Sequence, residues 1–99
     1  MLEKSIEQHL RNRAKDIGGK AYKFVSPGNG GVPDRVLAFP GRIIVFVETK
    51  APGKKSTPQQ RKRQQEFADF GFPVFRDVDS IEKVEQVIKY CEGLIRNAI

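Results

Sequence analysis

Apolar positions recur at helical spacing near both ends of the chain and as alternations or short runs between them. Leu10, Ala14 and Ile17 repeat three to four residues apart and Gly18-Gly19 supplies a stop, which predicts a helix over about residues 2–17. Residues 21–25 read as a strand, and Ser26 to Gly31 as a glycine-rich loop. Residues 35–39 and 42–47 are rich in β-branched and aromatic side chains, with the turn signal Pro40-Gly41 between them, so they predict a β-hairpin. Thr57 starts a second helix that ends near Gly71 and directs Phe67 and Phe70 to the core. Residues 73–78 form another strand, and Asp79 or Ser80 caps a last helix with an apolar stripe of Ile81, Val84, Ile88, Cys91 and Ile95. The predicted order is α-β-β-β-α-β-α in a single α/β domain over residues 1–99, with no internal repeat or linker.

The hairpin brings chemistry together. In an antiparallel pair with a short loop, residues equidistant from the turn face each other, so Asp34 falls opposite Val47 or Glu48 according to loop length or a bulge. Side chains alternate along a strand, so Glu48 and Lys50 project from one face. Two carboxylates and one ammonium therefore converge at the open end of the hairpin. Taken singly, Pro33-Asp34 is an ordinary turn pair and Glu48-Thr49-Lys50 an ordinary exposed strand end. The context argues otherwise: residues 43–47 are apolar on both faces, as in a buried central strand, yet the strand runs into charges.

A divalent cation such as Mg²⁺ takes hard oxygen ligands, and two carboxylates plus a backbone carbonyl suffice to hold it against a phosphate. The Thr49 carbonyl is the natural third protein ligand. A nearby lysine orients the attacking water or stabilises developing charge, which suits phosphodiester hydrolysis.

The segments Gly30-Gly31-Val32-Pro33-Asp34-Arg35, Val47-Glu48-Thr49-Lys50-Ala51-Pro52-Gly53 and Ser56-Thr57-Pro58-Gln59-Gln60 resemble the VRR-NUC branch (virus-type replication-repair nuclease) of the PD-(D/E)xK superfamily, over nearly the whole chain. The resemblance implies a restriction-endonuclease-like core, a mixed β-sheet flanked by helices. It implies that Asp34 and Glu48 bind Mg²⁺ or Mn²⁺, that Lys50 is the catalytic lysine, and that Gln60 is the polar residue following on the next helix. It also implies a carboxylate on the first helix. Extending the apolar stripe of that helix backwards reaches Glu7 and Glu3; Glu7, nearer the packed part, is preferred and Glu3 is the alternative, although the positive end of the helix dipole favours acids there in any case. His9 is expected to be a surface or partly buried helix residue. Gln60 also fits a capping box with Thr57 as N-cap and Pro58 at the first helical position, so a cap and a site role stand side by side. Members of this size resemble structure-specific DNA endonucleases and Holliday-junction resolvases, which act as homodimers because a symmetric four-way junction requires two paired incisions. The last helix or an exposed aromatic such as Tyr90 is the expected interface. The alternatives are a nuclease acting on flap, linear or single-stranded DNA, a non-cleaving nucleic-acid-binding module of the same fold, and a basic structural protein.

Charge agrees with a nucleic-acid partner. The 99 residues carry 18 Lys plus Arg against 12 Asp plus Glu, a net charge of +6, with a pI of 9.7. From Thr49 to Gln65 there is no acid, and Lys54, Lys55, Arg61, Lys62 and Arg63 crowd beside the expected site as candidate DNA contacts, whereas acids gather from Asp77 onward. Gly53-Lys54-Lys55-Ser56 lacks the upstream glycine of a P-loop and Gly28-Asn29-Gly30-Gly31 precedes no helix, so no nucleotide cofactor is expected. The single Cys91 rules out an intrachain disulfide and fits a reducing, intracellular setting, the cytoplasm. No stretch is apolar and long enough to predict a signal peptide or membrane span.

Overall fold

A computed structural model describes residues 2–98. Its elements are α1 (Glu3–Asp16), β1 (Lys20–Lys23), β2 (Arg35–Phe39), β3 (Ile43–Thr49), α2 (Pro58–Asp69), β4 (Val74–Val78) and α3 (Ile81–Asn97), in the order the pattern predicts. The four strands form one sheet in the order β1-β2-β3-β4; the first two pairings are antiparallel and β3 with β4 is parallel. This mixed sheet with helices on both faces is the restriction-endonuclease-like core.

Strand alternation assigns the two layers. On one face of β2 and β3, Leu37, Val45 and Val47 are fully buried against Ile6, Leu10 and Ala14 of α1 and Val84, Ile88 and Cys91 of α3. Each such Leu, Ile or Val contributes about 1.5–3 kcal/mol of burial. On the other face Phe46 stacks on Phe67 of α2 at 4.3 Å between ring centroids and meets Phe24 and Phe72 at 5.8 and 5.5 Å. β3 is thus buried on both faces, as its unbroken apolar run implies.

Helix ends follow local chemistry. The Thr57 and Gln60 capping box starts α2, and the Ser80 hydroxyl, rather than Asp79, accepts the Lys83 N–H to start α3. The expected core role of Phe70 is corrected: it is the C-cap of α2 and 76% exposed, because the helix stops two residues before Gly71 and turns that ring outward. In α3, Val87 joins the buried stripe, while Ile95 is only partly buried. Among the described residues no helix is long and apolar enough to cross a membrane.

Candidate active site

The turn between β2 and β3 sets the geometry. Phe39 pairs with Ile43 across three residues, with Gly41 (φ 92°) and Arg42 (φ 64°) both left-handed, and the register runs on to Arg35 opposite Val47. The next step places Asp34 beside Glu48, resolving the two registers left open by the sequence. Beyond that step Asp34 turns to the end of β3, where its Oδ1 accepts the Thr49 N–H at 3.0 Å and its Oδ2 accepts the Thr49 hydroxyl at 2.6 Å.

From the other layer Glu7 reaches the same point. Its Oε1 also lies at hydrogen-bond distance from the Thr49 hydroxyl, 3.1 Å, and its Oε2 lies 3.7 Å from Arg35 Nη2. Glu3, one helical turn earlier, joins it: one carboxylate oxygen each from Glu3, Glu7 and Asp34 lie within 4.8 Å of one another. The two helix acids considered as alternatives therefore both stand at the cluster.

Glu48 is 4% exposed, and its Oε1 has no hydrogen-bond partner among the described residues, while Oε2 lies 3.5 Å from Lys50 Nζ. Burial, then the neighbouring Asp34 charge, push the Glu48 carboxyl up to about 7 against the pull of Lys50. Burial likewise lifts Asp34 to about 6; its bonds from Thr49 oppose the shift and its contact with Glu7 adds to it. Burial would raise Glu7 too, but hydrogen bonds from Asp34 and Thr49 and the Arg35 charge bring it below the usual carboxylate value.

Gln60 belongs to the cap of α2 and also reaches Lys50. Its Oε1 accepts the Thr57 N–H at 2.9 Å and the Lys50 ammonium at 2.8 Å, so the capping box of α2 also fixes the lysine. A β-bulge supports this arrangement: from Val47 to Thr49 β3 advances two residues while β4 advances three, from Phe75 to Val78. Asp77 (φ 55°) sits in the bulge and turns its Oδ1 to accept both the N–H and the hydroxyl of Ser56 at 2.7 Å. Gln64 Nε2 donates to the Ser56 hydroxyl and Arg61 Nη1 to the Ser56 carbonyl, so the loop between β3 and α2 is tied on both sides.

The basic flank divides into two groups. Arg61 holds Ser56, and Arg63 bonds Glu66 and donates Nε to the Gly30 carbonyl, which clamps the glycine loop onto α2. That loop lies so close to the helix that a Cβ on Gly31 (φ 89°) would come within 2.9 Å of the Gln59 carbonyl. The side chains of Lys54, Lys55 and Lys62 make no hydrogen bond or ion pair among the described residues. His9 bonds Glu85 of α3 at 2.8 Å, away from the cluster.

Sequence reasoning missed two participants. Thr49 entered only through its carbonyl, but its fully buried hydroxyl links Glu7 to Asp34; Arg35 was not singled out, although it is the cation beside Glu7. The available signal was alternation, since Thr49 and Arg35 share the face of the sheet that α1 covers.

A restriction-endonuclease-like sheet with clustered acids and a lysine at one end of its central strand is the arrangement of a nuclease. No family profile matches the chain. It is 49% identical over 83 residues to a protein of Acyrthosiphon pisum secondary endosymbiont phage 1 described as "Putative nuclease p44", covering 80% of this chain and 89% of that one. A solved structure described as a VRR_NUC domain superposes with a TM-score of 0.80 at 30% identity, over 88% of this chain and 94% of the other. The chain belongs to the VRR-NUC family of nucleases.

Proposed function

We propose that this nuclease is a Mg²⁺- or Mn²⁺-dependent DNA endonuclease. In this reading Asp34, Glu48 and the Thr49 carbonyl hold the cation, and Glu7 supports it with Glu3 beside it. The observation that carries the proposal is the Glu48 Oε1 atom, buried without a hydrogen-bond partner among the described residues, next to a second desolvated carboxylate. A buried anion left in that state costs stability unless a cation answers it, and hard carboxylate oxygens fit a hard divalent ion. When bound, such an ion supplies Lewis-acid polarisation of a phosphodiester and offsets the charge of the acids.

The side chains of the protein then have separable tasks. Lys50 has three N–H donors; Gln60 at 2.8 Å and Glu48 at 3.5 Å engage two, which leaves one for the attacking water or a phosphate oxygen. Gln60 fixes the lysine before substrate arrives, so no reorganisation is needed during attack. Thr49 and Arg35 hold Glu7 and Asp34 in place. Water attacks phosphorus and gives up a proton to solvent, the bond to the leaving oxygen breaks and that oxygen takes a proton from solvent, and the Lys50 ammonium stabilises the charge that develops. Lys54, Lys55 and Lys62, with the exposed parts of Arg61 and Arg63, follow the DNA backbone.

The substrate in this reading is a four-way junction cut by a homodimer, which the family resemblance supports. A groove of about 400 Å³ at the far end of the sheet, lined by Ile44, Phe72, Tyr90 and Leu94 among others, offers an apolar surface for a second copy. The test is cleavage of labelled four-way junction, flap, linear duplex and single-stranded DNA with Mg²⁺ or Mn²⁺, beside Asp34→Asn and an EDTA control, with sedimentation for the dimer. Symmetric junction cutting lost in both controls is the expected result. Cutting of other forms changes the substrate, and binding without cleavage overturns the enzyme in favour of a binding module.

A further inference from the structure

We infer that the seam between α1 and β1 is a second contact surface for nucleic acid, taking phosphodiester backbone on the face of the sheet opposite α2. The inference rests on the nuclease reading above and adds where a further flank or arm of its DNA lies.

A groove of about 450 Å³ runs along this seam, lined by Arg11, Asn12, Lys15, Gly19, Lys20 and Ala21, with no acid among them. Glu7, Arg11 and Lys15 follow one another at intervals of four and so stack along one side of α1. The row starts in the acid cluster, and Lys15 lies about 12 Å further along the helix. From the sheet, Lys23 pairs with Arg35, the neighbour of Asp34, and projects to the same face as Ala21, toward α1. Exposed cations therefore lead from the groove up to the carboxylates.

The distribution of partners distinguishes this row from an ordinary solvated face. On the α3 side of the same helix the cations are neutralised: Arg13 is paired with Glu85 and Asp16, and His9 meets Glu85. On the β1 side Lys15 and Lys23 pair with no acid among the described residues, and the Arg11 guanidinium donates only to the neutral Gln8. Lys20, 4.9 Å over the ring of the exposed Tyr22, projects with it to the other face of β1 and lies outside this row. Asp16, next to Lys15, pairs with Arg13, and the chain then has no acid until Asp34. Arg11 and Lys15, about 6 Å apart along the helix, match roughly two phosphates at about 3.4 Å of rise per strand. With Lys54, Lys55 and Lys62 beyond the other face, the acid cluster lies between two positive surfaces, a placement suited to DNA with more than one arm.

The test is binding of a labelled 30-bp duplex and a four-way junction in EDTA, measured against salt concentration. Arg11→Gln/Lys15→Gln is expected to weaken junction binding on the order of tenfold at 100 mM salt and to lower the slope of log K against log salt by about 2. Lys15→Gln alone, at an exposed position, is expected to lower it by about 1. Lys54→Gln/Lys62→Gln should give its own loss, additive with the first. Wild-type affinity and slope in Arg11→Gln/Lys15→Gln, alongside a reduced slope in Lys54→Gln/Lys62→Gln, overturn the second surface. Cleavage by the wild-type protein is scored separately with Mg²⁺: its absence refutes the nuclease reading, while the salt slopes still decide the seam.

Discussion

Replacing Glu48 with glutamine is expected to destroy cleavage and, without metal, to make the protein more stable. The carboxyl of Glu48 is displaced from 4.5 to about 7, mainly by burial. Because one pKa unit corresponds to 1.36 kcal/mol, keeping this side chain ionised costs the folded state about 3 kcal/mol at pH 8. The sign follows from proton uptake: the folded state binds the proton more tightly, so the cost is full above pH 7, shrinks as pH falls, and vanishes below about 4.5. Glu48→Gln keeps the shape and removes the charge. In EDTA at pH 8 its melting temperature should exceed that of the wild type by on the order of 10 °C, since about 1 kcal/mol shifts a domain of this size by about 4–8 °C. At pH 5 most of the difference should close. Saturating Mn²⁺ should stabilise the wild type by about 3–4 kcal/mol at 100 to 1,000 times its dissociation constant and leave the variant little changed. Thermal unfolding at the two pH values, with and without Mn²⁺, reads all of this. A variant less stable than wild type at pH 8 in EDTA would refute the idea that Glu48 is held at an electrostatic cost.

Four further outcomes follow from the packing and the site. Gln60→Ala should reduce kcat by more than tenfold through release of Lys50 and destabilise the protein by about 1 kcal/mol through loss of half the capping box, whereas Thr57→Ala at the same cap should cost similar stability with a smaller effect on kcat; kinetics and urea unfolding of both separate the roles. Ser56→Ala removes the hydroxyl that bonds Asp77 and Gln64 inside a buried site and should cost about 1–3 kcal/mol in urea unfolding. The Asp77 carboxyl is held below its usual value, since the Ser56 bonds outweigh its burial; its stabilising effect is therefore present above pH 4 and should be lost on further acidification, and Asp77→Asn should flatten that acid limb. Leu10→Ala, in the fully buried stripe of α1, should cost about 2–5 kcal/mol with no change in the DNA salt slope.

The sequence by itself determined the element order, the hairpin and the approach of Asp34 to the Val47-Glu48 end of the next strand, because these depend on local periodicity, turn chemistry and the alternation of a strand; the turn length in the structure chose between the two registers. Thr57 as the cap of α2 and the apolar stripes of α1 and α3 are equally local. Boundaries drifted by a residue or two: β1 begins at Lys20 rather than Ala21, and the turn residue Arg42 precedes β3. Phe70 went the other way from its expected burial because an apolar residue at a helix end has its direction set by where the helix stops. Only the tertiary structure decided what crosses between elements. It placed both Glu3 and Glu7 at the cluster, showed that one Gln60 oxygen serves the cap and Lys50 together, and assigned Arg61 and Arg63 to holding loops. It also left Glu48 Oε1 buried without a partner among the described residues and turned Asp77 onto Ser56 through a bulge in β4. Each of these is a distance between segments far apart in the chain. Such distances depend on how the layers pack and on where the sheet register slips, and spacing along the sequence carries neither.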